Sequence, residues 1–573
     1  MERQAEHYYA FGPFRLEPEQ GRLSRDGLVA PLPPKTFALL LALVRNHGRL
    51  VDKEALMQEL WPDAFVEEAN LTFHVSVLRK TLGESASQGG GYIETVPKCG
   101  YRFRTAVKEV REKRDIKSVV VLPFSSAGSP GSDYFADGMH EALISELAQI
   151  RGLRVISRTS SQHYGTAGRP LPELARSLHV DVAVEGCVFL EGDRARIDIR
   201  LVDAREDRHL WAHSYERNLR DLLSLQRELA GTIVRQIQVR LTKREEERLG
   251  QAHPVHPEAL TACLRGRYYW DHFTETSMQQ AMALFQQAIQ IDPGYPQAWA
   301  GLSGCHSAMA VQSMVGPRDA AIKARQAAQR AIELDPLLPD AHLTVAATRL
   351  FFDWDWLGAE RAIATAIDLS PSFSQAHSLF THYALARGWG EHAIASATRA
   401  LELDPMSAAN NNDLGWAYLL SGDYDKAREQ LSNTLNMDFN FPFAGMYLAQ
   451  VDLHEQRFDE AIAELEKILP GGVGPAPMIS MLGHAQGAAG NISAAQQSLD
   501  RLVELSKVSY VSPYDRAVVY AGMKDAGGAL DCLEQALADG SPRVIWLKME
   551  PAFQTLCTHP RFQALIRRLG FEK

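Results

Sequence analysis

The sequence lacks several features that would each point to a particular class of protein. Six cysteines occur in 573 residues, and no two lie close together. This excludes a disulfide framework or a cysteine-rich zinc site and favours a reducing, intracellular setting. A membrane helix needs about 20 successive apolar residues, but the longest uncharged run, 468–499, is interrupted by glycine and proline. The polar N-terminus is unlike a secretory signal. We therefore expect a cytoplasmic protein without a membrane segment.

Positive charge is also scarce, because the formal net charge is −10. A DNA-binding protein must neutralise phosphates, so this average argues against one. The excess of negative charge lies in only one part of the chain, however. Residues 251–573 hold 24 basic and 35 acidic side chains, whereas residues 1–110 hold 14 of each. Within that N-terminal part, residues 79–108 contain six basic and two acidic side chains. DNA binding is therefore predicted for the N-terminal end.

The C-terminal half contains an internal repeat of 34 residues. Small residues recur at that spacing, namely Ala359, Ala393, Ala427, Ala461, Ala495 and Ala529. Two earlier copies, around Ala281 and Ala324, fit if the second carries an insertion near 314–317. A strict period of this kind predicts helical hairpins that stack to bury their apolar faces. The pattern resembles tetratricopeptide repeats, and it implies eight helix pairs in an α-solenoid over 258–573. A closing helix is expected at 549–571.

The N-terminal residues predict a small antiparallel sheet over 8–31, followed by three helices. The third, about 66–82, places Leu71, Val75, Leu78 and Leu82 on one buried stripe. A turn at 89–91 then leads to a hairpin, 92–96 with 101–105, whose tip is 97–100. Three helices followed by a hairpin with a basic tip are typical of a winged helix.

Four segments resemble the DNA-binding domain of the OmpR/PhoB family over residues 8–107. They are Leu32-Pro33-Pro34-Lys35-Thr36-Phe37, Leu60-Trp61-Pro62, 75–82 and Tyr92–Val96 with Gly100–Phe103. The resemblance implies that the third helix enters the major groove and that the wing reaches the backbone or minor groove. The residues it places on DNA are Asn70, Thr72, Phe73, His74, Ser76, Val77, Arg79, Lys80, Thr95, Lys98 and Arg102.

Most of these groups would bind phosphates, which set the position of a protein on DNA and carry no base sequence. Family members often have basic residues where this sequence has Ser76 and Val77. Val77 and Phe73 are suited to contact thymine methyl groups. For His74 two interpretations stay open, a contact to DNA and a histidine packed at the rim of the helix. Replacing Arg79 or Lys98 with alanine should weaken binding to all sequences and flatten its salt dependence by about one contact each.

Between these parts, residues 111–117 are charged and predict a linker, and 118–243 predict a small α+β domain. Its strands are expected at 118–124, 153–157, 180–190, 194–202 and 209–215, with helices at 134–150, 171–178 and 221–241. Four runs resemble the TolB-like or FlgO-like domain, which implies a fold and no chemistry: Val182–Gly186, Gly192–Arg194, Leu201–Ala204 and His209–Ala212. Asp133, Asp137, His140 and Glu141 lie close in sequence, but their spacing matches no metal or acid–base motif. We interpret them as solvated residues of the helix.

No sequence motif indicates an enzyme, a cofactor or a metal site, and no receiver domain precedes the winged helix. The fold class is thus multidomain and mainly α. We expect a cytoplasmic one-component transcriptional regulator of the CadC-like and HilA-like kind. Its partners would be double-stranded DNA and a protein or peptide on the repeats, with a homodimer on DNA possible. The alternative is a non-enzymatic interaction scaffold in which DNA binding is weak or lost.

Overall fold

The computed structural model describes residues 7–18, 21–62, 66–83, 91–111, 116–128, 132–166, 170–191, 194–218, 222–237, 239, 241–243, 245, 255–270, 274–437 and 441–571. The chain forms two compact units, 1–115 and 116–573. Most of the predicted linker, and the 89–91 turn except Gly91, lie outside the described residues. None of the helices in the described ranges combines the length and apolar character needed to cross a bilayer.

The first unit is a winged helix built on its own apolar core. Its strands are His7–Phe11 (β1), Phe14–Glu17 (β2), Arg22–Arg25 (β3), Leu28–Ala30 (β4), Leu50–Asp52 (β5), Ile93–Val96 (β6), Gly100–Phe103 (β7) and Lys108–Arg111 (β8). Its helices are Pro34–Arg45 (α1), Lys53–Leu60 (α2) and Glu68–Leu82 (α3).

Two antiparallel sheets frame these helices. One has the strand order β4-β3-β2-β1-β8, and the other has the order β5-β7-β6. Strand β8 is a difference from the sequence prediction, which placed residue 111 in the linker. Its residues pair with β1 from His7–Arg111 to Ala10–Lys108. This pairing satisfies backbone groups that a linker would leave to water.

The second unit begins with a sheet that carries helices. Its strands are Ser118–Val121 (β9), Ser125–Gly128 (β10), Arg154–Val155 (β11), Val182–Glu191 (β12), Arg194–Asp203 (β13) and Arg208–Asn218 (β14). Its helices are Ser132–Ala148 (α4), Arg158–Thr166 (α5), Leu171–Leu178 (α6) and Leu222–Ile237 (α7). The strand order is β11-β9-β12-β13-β14, with β10 paired to β12.

Three details differ from the sequence prediction in this region. His140, expected to be solvated, is buried, with Nε2 2.9 Å from Val121 O and 3.0 Å from Ser161 Oγ. The strand expected at 118–124 ends at Val121, and a second strand begins at Ser125; Pro123, which has no N–H to donate to a ladder, stands in the break between them. Helix α5 was not predicted, since its sequence, Arg-Thr-Ser-Ser-Gln-His-Tyr-Gly-Thr, has no apolar period. Its buried Ser160 and Ser161 find polar partners in the fold instead.

The helical repeats follow, and the described residues form eight hairpins. The helices are Pro257–Trp270 (α8), Glu275–Ile291 (α9), Pro296–Val311 (α10), Pro317–Leu334 (α11), Pro339–Thr348 (α12), Trp356–Leu369 (α13), Ser374–Arg387 (α14), Gly390–Leu403 (α15), Ala408–Leu420 (α16), Tyr424–Met437 (α17), Pro442–His454 (α18), Phe458–Ile468 (α19), Ala476–Ala488 (α20), Ile492–Leu505 (α21), Pro513–Gly522 (α22), Ala526–Asp539 (α23) and Pro560–Arg568 (α24). A π-helical turn, Arg349–Asp353, extends α12. Single 3-10 turns lie at Pro470–Gly472, Pro542–Trp546 and Pro551–Leu556.

The 34-residue period is explained by the packing of the second helix of each hairpin. The small residues that define it have no exposed surface in any of the eight copies: Ala281, Ala324, Ala359, Ala393, Ala427, Ala461, Ala495 and Ala529. Gly415 shows why the positions on the facing helix are also small. A Cβ there would lie 2.6 Å from the Leu431 side chain of the paired helix. Two helices can approach this closely only where one of them lacks bulk.

The end of the array differs from the predicted closing helix. Residues 551–556 form a 3-10 turn and 560–568 a separate helix, because Pro560 cannot continue the hydrogen-bond ladder from the preceding turn. Phe553, Phe562 and Leu565 are nevertheless buried in a core shared with the eighth hairpin, as expected. The terminal residues also return to the third hairpin, where Trp356 Nε1 donates to Leu569 O over 2.7 Å.

The sheet region and the repeats share one apolar core, although the sequence predicted them as separate domains. That core runs from Val119 through Ile233 to Phe285 on α9. Polar contacts reinforce it. Ser160 Oγ donates to Asp404 Oδ1 over 2.6 Å, and Arg154 Nη1 donates to Glu402 O over 3.1 Å. The exact domain boundary stays a prediction, but within the second unit these two parts are packed as one body.

Candidate DNA-binding surface

Helix α3 packs against the core of the first unit through one apolar stripe. The position of this stripe determines which side chains of the helix face outward. Leu71, Val75, Leu78 and Leu82 are each no more than 3% exposed in the core of the first unit. The predicted stripe is therefore confirmed. A helix buried along one stripe turns its remaining side chains outward. The exposed or half-buried candidates on α3 are Asn70, Thr72, Phe73, His74, Ser76, Val77, Arg79 and Lys80.

Phe73 is the most unusual of these side chains, because 63% of its surface is exposed and it contributes little to the core. Its ring meets that of His74 edge-on, with centroids 5.5 Å apart. An exposed aromatic ring on a recognition helix has the chemistry to cover the methyl group of a thymine.

His74 is packed between two other elements of the same unit. Its Nδ1 lies 2.8 Å from Thr36 Oγ1 at the start of α1, and its ring lies 5.7 Å from that of Trp61 after α2. Burial, with a smaller contribution from the Lys35 charge, lowers the pKa of His74. The ring is thus favoured in its neutral form. These contacts match the packed interpretation of His74, and a contact of its half-buried ring to DNA stays a prediction.

The two hydroxyls on the exposed face bond to their own helix. Thr72 Oγ1 donates to Glu68 O over 3.1 Å, and Ser76 Oγ donates to Thr72 O over 3.0 Å. Such bonds to the carbonyl four residues earlier satisfy the donors locally. The oxygen lone pairs remain as acceptors. In this geometry Ser76 can receive a hydrogen bond from a base amino group, whereas binding a phosphate requires its hydroxyl to rotate.

The wing is fastened to the helix by Arg79. One of its terminal nitrogens, Nη2, donates to Ile93 O over 2.9 Å and to Thr95 Oγ1 over 2.7 Å, both on β6. Helix and wing, which the sequence predicted as two separate contact surfaces, are thus joined through two candidate residues. Arg79 therefore positions the wing, in addition to any phosphate contact that it makes.

The tip of the wing is a tight turn that raises one lysine from the surface. Lys98 is exposed and has a left-handed backbone, with φ of 65°. Cys99 N donates to Val96 O over 3.1 Å to close the turn. At the next residue, Gly100, a Cβ would stand 2.0 Å from Val51 O on β5. Only glycine fits there, so β5 can bond directly to the wing.

Arg102 lies across the wing from Glu94, with Nη1 and Oε2 3.4 Å apart. This ion pair neutralises part of the positive charge counted from the sequence. Lys80 and Lys98 are exposed on the helix and at the tip. Lys80 and Lys98 are therefore candidates for long-range attraction to phosphates, and the paired Arg102 is a candidate for a shorter-range contact.

Three further residues, not predicted from the sequence, support this surface. Thr36 and Trp61 hold His74, and Lys35 donates from Nζ to Leu60 O over 2.5 Å while lying 5.9 Å from the Trp61 ring. All three stand in segments used for the family resemblance. Their positions in those motifs were the signal that the sequence offered for a role in this domain. The helices that they contact could be identified only in the structure.

Comparison with known proteins agrees with this geometry. Residues 27–103 match the family model described as "Transcriptional regulatory protein, C terminal", and residues 115–232 match "HilA/YgeH-like transcriptional regulator, second domain". The chain carries an OmpR/PhoB-type winged helix followed by a HilA-type second domain. The family model that matches the middle region is named for HilA and YgeH, and the expected resemblance to the TolB-like or FlgO-like domain stays a prediction.

Curated relatives extend the match. The chain is 25% identical over 407 residues to the transcriptional regulator HilA of Salmonella typhimurium (strain LT2), covering 70% of this chain and 71% of HilA. It is 36% identical over 231 residues to putative adenylate cyclase 3 of Rhizobium meliloti, covering 40% of this chain and only 39% of that protein. It is 29% identical over 96 residues to the transcriptional activator CadC of Escherichia coli, covering 17% and 19%.

Two solved structures are also similar to parts of the chain. The DNA-binding domain of E. coli CadC is 26% identical, covers 19% of this chain and all of that one, and has a TM-score of 0.18. The APC/C hetero-tetramer Cut9–Hcn1 is 17% identical, covers 61% and 63%, and has a TM-score of 0.38.

Proposed function

We propose that this protein is a one-component transcriptional regulator that binds promoter DNA through its first unit. The observation that carries the proposal is the outer face of α3, which presents Phe73, Ser76 and Lys80 to solvent while Arg79 holds the wing beside it. Amide, hydroxyl, apolar and basic groups together provide base contacts and phosphate contacts on one surface. Relatives named as transcriptional regulators, matched over the winged helix and beyond it, support the assignment.

The second unit would act as the sensing or protein-interaction part of the regulator. Its repeats carry the negative charge of the chain, which suits a partner other than DNA. A regulator of chromosomal promoters works in the cytoplasm, and a homodimer would occupy two half-sites. We further propose that the chain has no cyclase activity, since the relative with that name is matched over only 39% of its length.

The first experiment is binding of purified full-length protein and of residues 1–115 to a library of genomic fragments, followed by fluorescence anisotropy on the selected sites. Each titration is repeated at two salt concentrations. We expect specific retention by both proteins and a salt dependence that falls by about one phosphate contact in Lys80→Ala. Arg45→Ala is the matched control, because it removes the same charge at the far end of α1 from Thr36.

Absence of specific retention by both proteins would overturn the regulator proposal and favour the interaction scaffold. Retention by residues 1–115 alone would show that the second unit blocks DNA binding under the conditions used. Incubation of the full chain with ATP and a divalent cation, followed by chromatography for cyclic AMP, tests the remaining point. We expect no cyclic AMP above a protein-free control.

A further inference from the structure

Helix α3 has two flanks, and only one of them faces the wing. Successive residues of an α-helix turn by about 100°, so Arg79 and His74 stand about 140° apart, on either side of the buried stripe. Arg79 joins the wing through Ile93 O and Thr95 Oγ1. His74 contacts the start of α1 and the residue after α2. The outer face of the helix, which carries the exposed Phe73, lies between these two flanks.

The flank opposite the wing carries a lysine that was not predicted from the sequence to contact DNA. Lys35 is exposed and directly precedes Thr36, whose Oγ1 lies 2.8 Å from His74 Nδ1. Lys35 Nζ lies 5.9 Å from the centre of the Trp61 ring, and that ring lies 5.7 Å from the His74 ring. The Lys35 charge also contributes to the lowered pKa of His74, after the larger effect of burial. Lys35 therefore lies beside α3, next to the candidate DNA-binding surface.

The positive charge of Lys35 is not neutralised within the unit. Its Nζ donates to Leu60 O over 2.5 Å, but an ammonium group has three donors and this carbonyl carries no net charge. Among the residues that the structure describes, no carboxylate forms an ion pair with Lys35, whereas Lys53 and Arg102 of the same unit are each paired with one. The bond to Leu60 O and the Trp61 ring therefore hold the ammonium group near α3 and leave its charge for a ligand.

The dimensions of DNA place a phosphate strand on each flank of a recognition helix. A helix with its side chains is about 10–12 Å across, and the major groove is about 12 Å wide. A helix that lies in the groove with its outer face towards the bases therefore meets one sugar–phosphate strand on either side. The wing lies on the side of one strand. Three outward side chains of α3, Phe73, Ser76 and Val77, are uncharged and attract the other strand little.

We propose that Lys35 binds a DNA phosphate on the strand opposite the one that the wing contacts. Helix α1 and the wing would then hold the two sides of the major groove, with α3 between them. The ammonium group would donate its remaining N–H bonds to a phosphate oxygen while the Trp61 ring supports its side chain. This inference rests on the proposed DNA binding and adds a second backbone strand to it. It predicts no base preference, because phosphate contacts carry no base sequence.

Fluorescence anisotropy titrations of the full-length protein on a genomic fragment that it selects test the proposal. Lys35→Gln should reduce the slope of log affinity against log salt by about 0.9. It should also weaken binding to selected and to unrelated fragments by the same factor. Lys35→Arg keeps the charge and should retain the wild-type slope. Arg45→Gln is the matched control, because it removes one charge about 15 Å further along the same helix, and it should change neither quantity.

Ethylation interference on the same fragment locates the contact, since an ethylated phosphate loses its charge. Wild-type binding should be inhibited by ethylation on both strands. Lys35→Gln should lose this inhibition at a phosphate of one strand, and Lys98→Ala should lose it at a phosphate of the other. Folding of each variant is checked by circular dichroism. If Lys35→Gln fails to fold, Lys35→Met, which keeps an apolar stem beside Trp61, provides the same test.

The outcomes separate this inference from the proposed function. Specific binding by the wild type, with an unchanged salt slope and unchanged interference in the folded Lys35 variant, would overturn the phosphate contact alone. Loss of interference on the same strand for the Lys35 and Lys98 variants would overturn the two-sided arrangement. Absence of specific binding by the wild-type protein would overturn the proposed function, and this inference with it.

Discussion

Replacing Arg79 with alanine is the sharpest test of how the DNA-binding surface is built. The wild-type guanidinium donates to Ile93 O and Thr95 Oγ1, at 2.9 and 2.7 Å. Hydrogen bonds from a charged group contribute about 1.5–3 kcal/mol when buried, and less when water competes. Arg79 is half-buried, so we expect the pair together to contribute about 1–3 kcal/mol. In a domain of this size that lowers Tm by on the order of 5–15 °C.

The assay is thermal and urea unfolding of residues 1–115 without DNA, followed by anisotropy titrations of folded protein. Lys98→Ala is the matched variant, because it removes the same charge from an exposed tip. It should change stability by less than about 0.5 kcal/mol and lower the salt slope by about one. If Arg79→Ala left the unfolding free energy unchanged and lowered the salt slope alone, Arg79 would be an ordinary phosphate contact and the wing would be held by other means.

Three further predictions follow from exposure, burial and charge. Phe73→Ala should leave Tm nearly unchanged, since the ring is exposed, but should relax the preference for thymine in sites selected from a random library; unchanged selection would exclude Phe73 from base contacts. Asp404→Ala should destabilise the second unit by about 1–3 kcal/mol in urea unfolding by orphaning Ser160, whereas Asp368→Ala, in an exposed pair, should cost less than about 1 kcal/mol. Burial, and then Lys323, lower the pKa of His306 to about 4; the unfolded chain therefore binds the extra proton first, and stability should fall as the pH drops from about 6.5 towards 4. His306→Gln should flatten that part of the profile, and an unchanged profile would contradict the assignment.

The winged helix was readable from sequence because short-range patterns define it. The stripe Leu71, Val75, Leu78 and Leu82 dictates which face of α3 is buried, whatever surrounds it. The turn at Lys98 and the glycine two residues later, Gly100, likewise indicate the wing. The pattern does not specify which residues from distant parts of the unit contact each other. Arg79 and His74 lie on the outer part of the helix, and their contacts within the unit, with Ile93 and Thr36, join residues 14 and 38 positions apart in the chain.

The middle region was harder to predict for the same reason. Strands β9 and β12 pair in parallel across more than 60 residues, and nothing in the local sequence of either strand specifies the other. Helix α5 has no apolar period because its buried groups are serines satisfied by Asp404 and His140. A polar residue buried against a distant partner looks, in sequence, the same as one exposed to water.

The repeats show which features follow from the local sequence pattern and which depend on long-range contacts. Small residues every 34 positions specify a hairpin and its stacking on the next one, because close approach of two helices is a local, repeated requirement. How far the array curves is the sum of many small rotations, and no single repeat encodes it. The contacts of Trp546 with Trp416 and of Trp356 with Leu569, which join the end of the array to earlier hairpins, therefore form only when the whole array is assembled.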